Sequence, residues 1–372
     1  MGKLISTLLF QPPDETRHLS SKKYFWLTTS RGYKIPSFYI QQPHARFTVL
    51  YSHGNAEDLG MIYDYLYELS ELLYINILAY DYSGYGMGAR RKDNIEKKVE
   101  PSEENCYADI EAAYKYLTEI ELVSPSRIIL YGRSVGSGPS CYLAQKLNKT
   151  KGDHIAGLIL HSPFLSVCRV VIDMGFEMTY DVFPNVSRIK EVGCPTFIMH
   201  GTQDEVVPFR HGKGLYNSLP ENIRYPPFWA EKMGHNNIEL KMTTAFIKRL
   251  QKFFLHLLKL QKKNIPSYNA EPREENISLL DRGTAFSNEP AAIEISDSDD
   301  DTGTELSCAK SSSFSTRPRK SASDDSEVYD DRSPPSSEKL KSTIKFYRTV
   351  APISREDIES MMRKSGSDNS AL

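Results

Sequence analysis

Arg127-Ile128-Ile129-Leu130-Tyr131-Gly132-Arg133-Ser134-Val135-Gly136-Ser137-Gly138 runs from an apolar stretch through a glycine-flanked serine into a segment of helical character. Residues 127–131 have the length and β-branched, aromatic content of a strand buried on both faces of a sheet. Residues 135–147 read as a helix. Between them the pattern Gly-x-Ser-x-Gly demands a sharp strand-to-helix turn, whose flanking positions must lack side chains to clear the neighbouring strand and helix. A serine on such a turn stands at the C-terminal end of its strand, the edge where open α/β sheets build their sites.

The same alternation continues in both directions. Residues 24–29 and 33–40 read as two opening strands around Ser30-Arg31-Gly32. Residues 47–52, 75–81, 155–161 and 196–200 are further short apolar runs, and 224–229 is also strand-like. Helical segments fall at 61–73, 105–120 and 209–218. Residues 236–260 close the unit as one amphipathic helix, with Leu240, Ile247, Leu250, Phe254 and Leu257 on its inner face. This order predicts an α/β fold, a mostly parallel, doubly wound sheet with helices on both faces, spanning residues 24–262. Residues 164–186 are irregular and leave room for at most a small cap, or for an ordinary core-packing excursion.

A serine hydroxyl becomes a nucleophile when an imidazole takes its proton, and the imidazole needs a carboxylate to set its tautomer. On a sheet of this kind the chain order is Ser, acid, His. Ser134 is the candidate nucleophile. Asp204 lies in His200-Gly201-Thr202-Gln203-Asp204, just after a strand; Glu205 is its rival, with a longer side chain less suited to a fixed hydrogen bond. His235 lies in Gly234-His235-Asn236-Asn237 before the last helix. His200 precedes the acid, while His211 and His256 fall within helices. The arrangement predicts the α/β-hydrolase fold.

Attack on an acyl carbon needs N–H donors for the oxygen that becomes negative. The backbone N–H of Val135 is the first candidate. Asn55, in Ser52-His53-Gly54-Asn55-Ala56, is the second, with Ala56 close behind; His53 is read as shaping this loop. Asp81-Tyr82-Ser83-Gly84-Tyr85-Gly86 is read as a structural turn.

Composition narrows the alternatives. Forty-six basic against 48 acidic residues leave a formal charge of −2, so nothing in the overall balance attracts nucleic acid. Five scattered cysteines show no metal-ligand spacing and fit reduced thiols in a cytosol-facing protein better than a disulfide framework. Neither a metal nor an organic cofactor is implied. No apolar run is long enough to span a bilayer, and residues 4–10 are too short for a secretory core. Met1-Gly2-Lys3-Leu4-Ile5-Ser6 fits the pattern for myristoylation of Gly2. One acyl chain binds membranes only marginally, and Leu4, Ile5, Leu8, Leu9 and Phe10 are the candidate apolar patch beside it. Residues 1–23 are therefore read as a membrane-contact segment, with an unmodified Met-Gly start whose following residues dock on the domain as the alternative. Residues 263–372, rich in Ser, Asp, Glu and Pro, are read as a disordered tail, because they bury too little apolar surface to offset the entropy of ordering. Within it, Ile293-Glu294-Ile295-Ser296 and the acidic run after it are read as a solvated charge run, and residues 354–364 as one short helix with a capping box.

Ser52-His53-Gly54-Asn55-Ala56-Glu57-Asp58-Leu59-Gly60, Tyr107-Ala108-Asp109-Ile110, His161-Ser162-Pro163 and the segments around Ser134, Asp204 and His235 together resemble the alpha/beta-hydrolase-domain-containing protein 17 family, over roughly residues 10–257. The resemblance implies a membrane-associated enzyme that removes palmitate from protein cysteines, with Ser134, Asp204 and His235 matching the family triad. It implies S-acylated proteins or other acyl esters as substrates, and a peripheral position on the cytosolic face of a membrane. Lipid, small-ester and aminopeptidase-like hydrolysis are the rival activities, and an inactive hydrolase-like scaffold is the rival class. Animal members carry a palmitoylated, cysteine-rich N-terminus, whereas no cysteine precedes Cys106 here. Plant-type relatives begin Met-Gly, as this chain does. Residues 87–101 look longer and more charged than the family's turn.

Overall fold

The computed structural model describes residues 10–13, 24–91, 94–150, 154–173 and 181–264. The expected lipidation site at Gly2, the core of the expected cap and the tail beyond residue 264 lie outside the described residues. Strands β1 (Phe25–Thr28), β2 (Lys34–Ile40), β3 (Thr48–Ser52), β4 (Asn76–Tyr80), β7 (Ile128–Arg133), β8 (Gly157–His161), β9 (Thr196–Gly201) and β10 (Phe228–Ala230) form one sheet, in the order β1-β2-β4-β3-β7-β8-β9-β10. A separate two-stranded ribbon pairs β5 (Arg90–Arg91) with β6 (Asn94–Lys98). The pairs β1/β2 and β2/β4 are antiparallel and all other neighbours in the large sheet are parallel.

The helices are α1 (Leu59–Leu73), α2 (Glu103–Lys115), α3 (Ser137–Lys149), α4 (Val167–Asp173), α5 (Asn185–Arg188), α6 (Arg210–Ser218), α7 (Ile238–Lys241) and α8 (Thr243–Asn264). They cover both faces of the sheet, which explains why its central strands read as unbroken apolar runs. Leu50, Leu130, Leu158 and Leu160 face α2 and α3, against Cys106, Ile110, Cys141 and Leu143. Their strand neighbours Val49, Tyr51, Ile129, Tyr131 and Phe197 face the other way, against Ile62 and Leu66 of α1 and Phe246, Leu250 and Phe253 of α8. In register, Leu50 pairs with Leu130 and Tyr51 with Tyr131, whose rings stack at 4.9 Å.

The fold is the predicted one, with three local differences. The closing helix is broken: α7 ends at Lys241 and α8 starts at Thr243, whose hydroxyl donates to the Glu239 carbonyl at 2.8 Å and so competes with the backbone ladder. Residues 90–91 and 94–98 pair as strands where no strand is expected. Phe10 is not part of a membrane patch. It is buried in the domain, 5 % exposed, with its ring edge-on to Tyr85 and Phe183.

At the C-terminal edge of the sheet, backbone segments approach too closely for side chains. A Cβ at Gly136 would lie 2.1 Å from the Ser52 carbonyl oxygen, with backbone on both sides and nothing flexible to yield. We expect Gly136→Ala to destabilise the domain by about 3 kcal/mol or more. Differential scanning calorimetry would register this as a melting point lower by roughly 6–12 °C. Gly32→Ala, with open space around it but φ +77°, serves as the comparison. It should lose only about 1 kcal/mol through backbone strain.

Candidate active site

Strand β7 ends at Arg133, and Ser134 follows at φ 50°, in the left-handed region. That conformation costs about 1–2 kcal/mol for a residue with a Cβ and survives only where the surroundings over-determine it. Gly132 and Gly136 supply the close approach, since a Cβ on Gly132 would sit 2.4 Å from the Gly136 carbonyl oxygen. The Ser137 hydroxyl closes the turn by donating to the Ser134 carbonyl at 2.6 Å.

The loops after β9 and β10 bring the other two candidates to this serine. His235 Nε2 lies 2.9 Å from Ser134 Oγ, and His235 Nδ1 lies 2.8 Å from Asp204 Oδ2. An ionised carboxylate only accepts, so Nδ1 carries the hydrogen and Nε2 is the acceptor facing the serine hydroxyl. The two loops are fastened to each other. The Gln203 N–H donates to the Met233 carbonyl at 2.9 Å, Thr202 N–H to Ala230 at 3.0 Å, and Lys232 N–H to Thr202 Oγ1 at 2.8 Å.

Asp204 is fixed on every side. Its Oδ1 accepts from the N–H groups of Val206 and Val207 at 3.0 and 2.8 Å. His200 Nε2 lies 3.1 Å from Oδ2 and 2.8 Å from the Val207 carbonyl, two acceptors that require the hydrogen on Nε2. Burial alone would push the Asp204 carboxyl up, but the electrostatic interaction with the facing His235 and the hydrogen bonds from His200 and His235 outweigh it and hold the group well below the usual carboxylate range. The rival Glu205 is exposed and flanks Gly234. His211 accepts from the Leu165 N–H at 3.1 Å, and His256 packs on the Tyr225 ring at 5.1 Å. Neither stands at the serine.

On the opposite side, the turn after Ser134 lies directly on the loop that follows β3. The Gly136 position abuts the carbonyl oxygens of Ser52 and His53, which brings the Val135 and Asn55 segments side by side. The Asn55 side-chain oxygen accepts from Tyr85 Oη at 2.6 Å and from the Gln11 backbone N–H at 2.9 Å, while Ala56 takes φ 54°. His53 lies beneath, its ring 4.3 Å from Tyr82, its Nδ1 2.8 Å from the Gly54 carbonyl and its Nε2 3.5 Å from Asp81 Oδ1. Burial lowers its pKa to about 4, so it is neutral at pH 7 and shapes the loop. The Asp81–Gly86 segment is a structural turn, with Ser83 N–H and Oγ bound to Asp109 at 2.7 and 2.6 Å and Tyr82 Oη donating to the His53 carbonyl at 2.7 Å.

A buried guanidinium ties these pieces together. Arg133, adjacent to the serine, pairs through Nη1 with Glu57 Oε1. Its Nη2 donates to Asn236 Oδ1 at 2.9 Å and lies 3.4 Å from Glu239 Oε1. Glu57 Oε2 in turn accepts from the Gly54 N–H at 2.7 Å. One side chain therefore links the loop carrying Asn55 to the loop carrying His235. Glu239 Oε2 faces His161 Nε2 at 3.7 Å, and Tyr131 Oη sits 3.0 Å from His161 Nδ1.

A sequence profile described as the alpha/beta hydrolase fold matches residues 48–188. The mouse alpha/beta hydrolase domain-containing protein 17C is 38% identical over 244 residues, covering 65% of this chain and 70% of the relative. The 17B protein of Xenopus tropicalis is 35% identical over 280 residues, covering 68% of this chain and 91% of the relative. The chain belongs to the alpha/beta hydrolase domain-containing protein 17 family. Among solved structures, an esterase of Pyrococcus furiosus superposes with a TM-score of 0.50 at 16% identity, over 66% of this chain and 98% of that one, a likeness of fold. As a member of this family the protein is a hydrolase. Among the described residues no cluster of His, Cys, Asp or Glu could hold a metal ion, and no helix is long and apolar enough to cross a membrane.

Arg133, Glu57, Asn236, Glu239 and His200 all fall inside motifs that carry the family resemblance. His200, weighed as a rival base, instead binds the acid; the other four are not legible in the sequence as site residues, because the arginine's partners lie 76 to 106 positions away. The only advance signal is an arginine inside the Gly-x-Ser-x-Gly turn, where a buried charge must find partners.

Removing Arg133 strands two buried carboxylates. Arg133→Leu should cost about 3–5 kcal/mol, whereas Arg133→Leu combined with Glu57→Leu and Glu239→Leu should recover most of that loss. Urea unfolding midpoints compare the two. A pH effect follows from the neutral imidazoles. His161, like His53, is lowered from 6.5 to about 4 by burial, so below about 6.5 the unfolded chain binds protons that the folded one refuses, and stability falls as pH drops towards 4. Asp109, raised by burial from 3.8 to about 7, works in the opposite sense, its stabilising neutral form being lost as pH rises from about 4 to 7. Asp81 is raised in the same direction, so only a variant isolates one group. In His161→Gln, the slope of unfolding free energy against pH between 4.5 and 6 should be smaller by about 1.4 kcal/mol per pH unit.

Proposed function

We propose that the protein is a serine hydrolase that cleaves acyl thioesters, with palmitoylated cysteines of membrane-bound proteins as its substrates. The observation that carries this reading is the line of hydrogen-bonding atoms from Ser134 Oγ through His235 to Asp204, at 2.9 and 2.8 Å. Family membership adds the substrate class. In this mechanism Ser134 Oγ attacks the acyl carbon while its proton passes to His235 Nε2. Asp204, its carboxyl held ionised, stabilises the resulting imidazolium through Nδ1–H. The backbone N–H groups of Val135 and Asn55 receive the oxyanion.

The tetrahedral intermediate then collapses, breaking the C–S bond, and the departing sulfur takes the proton from His235 Nε2. A free cysteine thiol has a pKa near 8.5, so this leaving group departs far more readily than an alkoxide. Water, deprotonated by His235, next attacks the Ser134 ester, releases the fatty acid and restores the serine. Acylation of Gly2, with the apolar residues Leu4, Ile5, Leu8 and Leu9, is proposed to hold the enzyme peripherally on a cytosolic membrane face, where such substrates lie.

The test compares wild type with Ser134→Ala on an S-palmitoyl peptide, scoring free thiol. The variant should lose about a thousandfold or more of the turnover. Wild type should also prefer the thioester over a lysophospholipid and an aminoacyl amide in parallel assays. Faster turnover of either competitor would overturn the thioesterase reading while leaving the serine mechanism standing.

A further inference from the structure

Residues Phe10 and Gln11 reach the site from an unexpected direction. The Gln11 backbone N–H donates to Asn55 Oδ1 at 2.9 Å, and the same oxygen accepts from Tyr85 Oη at 2.6 Å. Asn55 is thus held by two donors, one of them outside the sheet and its loops. The Phe10 ring lies edge-on to Tyr85 and Phe183, with centroids 6.4 and 6.1 Å away. Phe183 packs against the start of α3, where a Cβ at Gly138 would fall 2.4 Å from its ring. Gly138 is three residues beyond Val135. The pair of residues therefore grips both sides of the proposed oxyanion hole, Asn55 through a hydrogen bond and the helix after Ser134 through an aromatic contact.

We propose that Phe10 and Gln11 are positioning residues, a strap that fixes the Asn55 donor relative to Val135 and so raises the rate of acyl transfer. The inference rests on the serine-hydrolase reading above. Its physical basis is that oxyanion donors work only when preorganised at the place where charge develops, so a small displacement of one donor reduces kcat with little effect on ground-state binding. The strap supplies the constraint that the loop after β3, with Ala56 at φ 54° and two glycine-sized approaches, would otherwise need to generate alone. Side-chain identity matters at Phe10. At Gln11 the working group is the backbone N–H.

That distinction makes the strap testable on the full chain. Gln11→Pro removes the N–H and Gln11→Ala keeps it; Pro12 and Pro13 already impose an extended path on the segment. With a short-chain p-nitrophenyl thioester as probe, Gln11→Pro should lower kcat tenfold or more while KM stays within threefold, and Gln11→Ala should restore at least half of the wild-type kcat. Phe10→Ala should show the same split, with Phe10→Leu recovering part of the rate, and it decides the matter if Gln11→Pro does not fold by thermal melting. A kcat within twofold of wild type, or Gln11→Ala falling as far as Gln11→Pro, overturns the strap. Failure of the underlying reading looks different, because Ser134→Ala would then turn over the same probe at the wild-type rate.

Discussion

The placement of Arg133 is the interaction on which the site depends. Its charge is enclosed at the end of β7, one residue before Ser134, with the residue only 6 % exposed. Taking a guanidinium and two carboxylates out of water costs several kcal/mol per ion, and the cost is met only when the partners are at hand in good geometry. Glu57 and Glu239 provide that geometry, and each lies close in sequence to a residue of the candidate site. Glu57 holds the Gly54 N–H, just before Asn55, while Glu239 lies in the first turn of the helix after His235, with Asn236 adding a neutral hydrogen bond. The network is thus less a source of stability than a way of making two loops and the strand end share one arrangement, since any other leaves a charge unpaired.

Topology explains why one arginine can do this. Parallel strands β3, β7, β9 and β10 deliver their following loops to the same edge of the sheet, so residues from four distant stretches arrive within reach of β7. The close packing at that edge then removes slack. Gly201, like Gly132 and Gly136, faces a carbonyl oxygen where a Cβ would lie 2.3 Å from Met233. The acid loop and the base loop are accordingly in backbone contact. Their hydrogen bonds, and not side-chain packing alone, set the distance from Asp204 to His235.

How much of this was legible in the sequence follows from the range of each interaction. The strands and helices were, because alternation of apolar runs is a local property that burial on both faces imposes. The candidate trio Ser134, Asp204 and His235 was, because chain order and strand ends restrict where a nucleophile, acid and base can lie. The break at Met242 was not, since it depends on one threonine hydroxyl competing for a carbonyl. The fate of Phe10 was not either. An isolated aromatic next to Leu8 and Leu9 has the same local signature whether it meets lipid or protein, and only the pocket between Tyr85 and Phe183 decides. Phe246 and Phe253 were missed on the inner face of α8 for a related reason: the helix there is buried over a wider arc than a single stripe predicts.

The imidazoles show how the fold separates roles among chemically identical groups. His53 and His161 are enclosed without a carboxylate at bonding distance, and burial keeps them neutral through the physiological range. Each contributes as a dipole: His53 beneath the Asn55 loop, His161 between Tyr131 and Glu239. His200 uses its Nε2 hydrogen on Asp204 and the Val207 carbonyl, so it cannot also accept a proton there. His235 alone among the histidines described has one nitrogen on a carboxylate and the other on a serine hydroxyl. Asp204 takes hydrogen bonds from His200 and from two backbone N–H groups, so its carboxylate is held in place independently of His235. In the proposed mechanism, a proton moving from Ser134 to Nε2 creates charge on an imidazole whose other nitrogen already rests on that carboxylate.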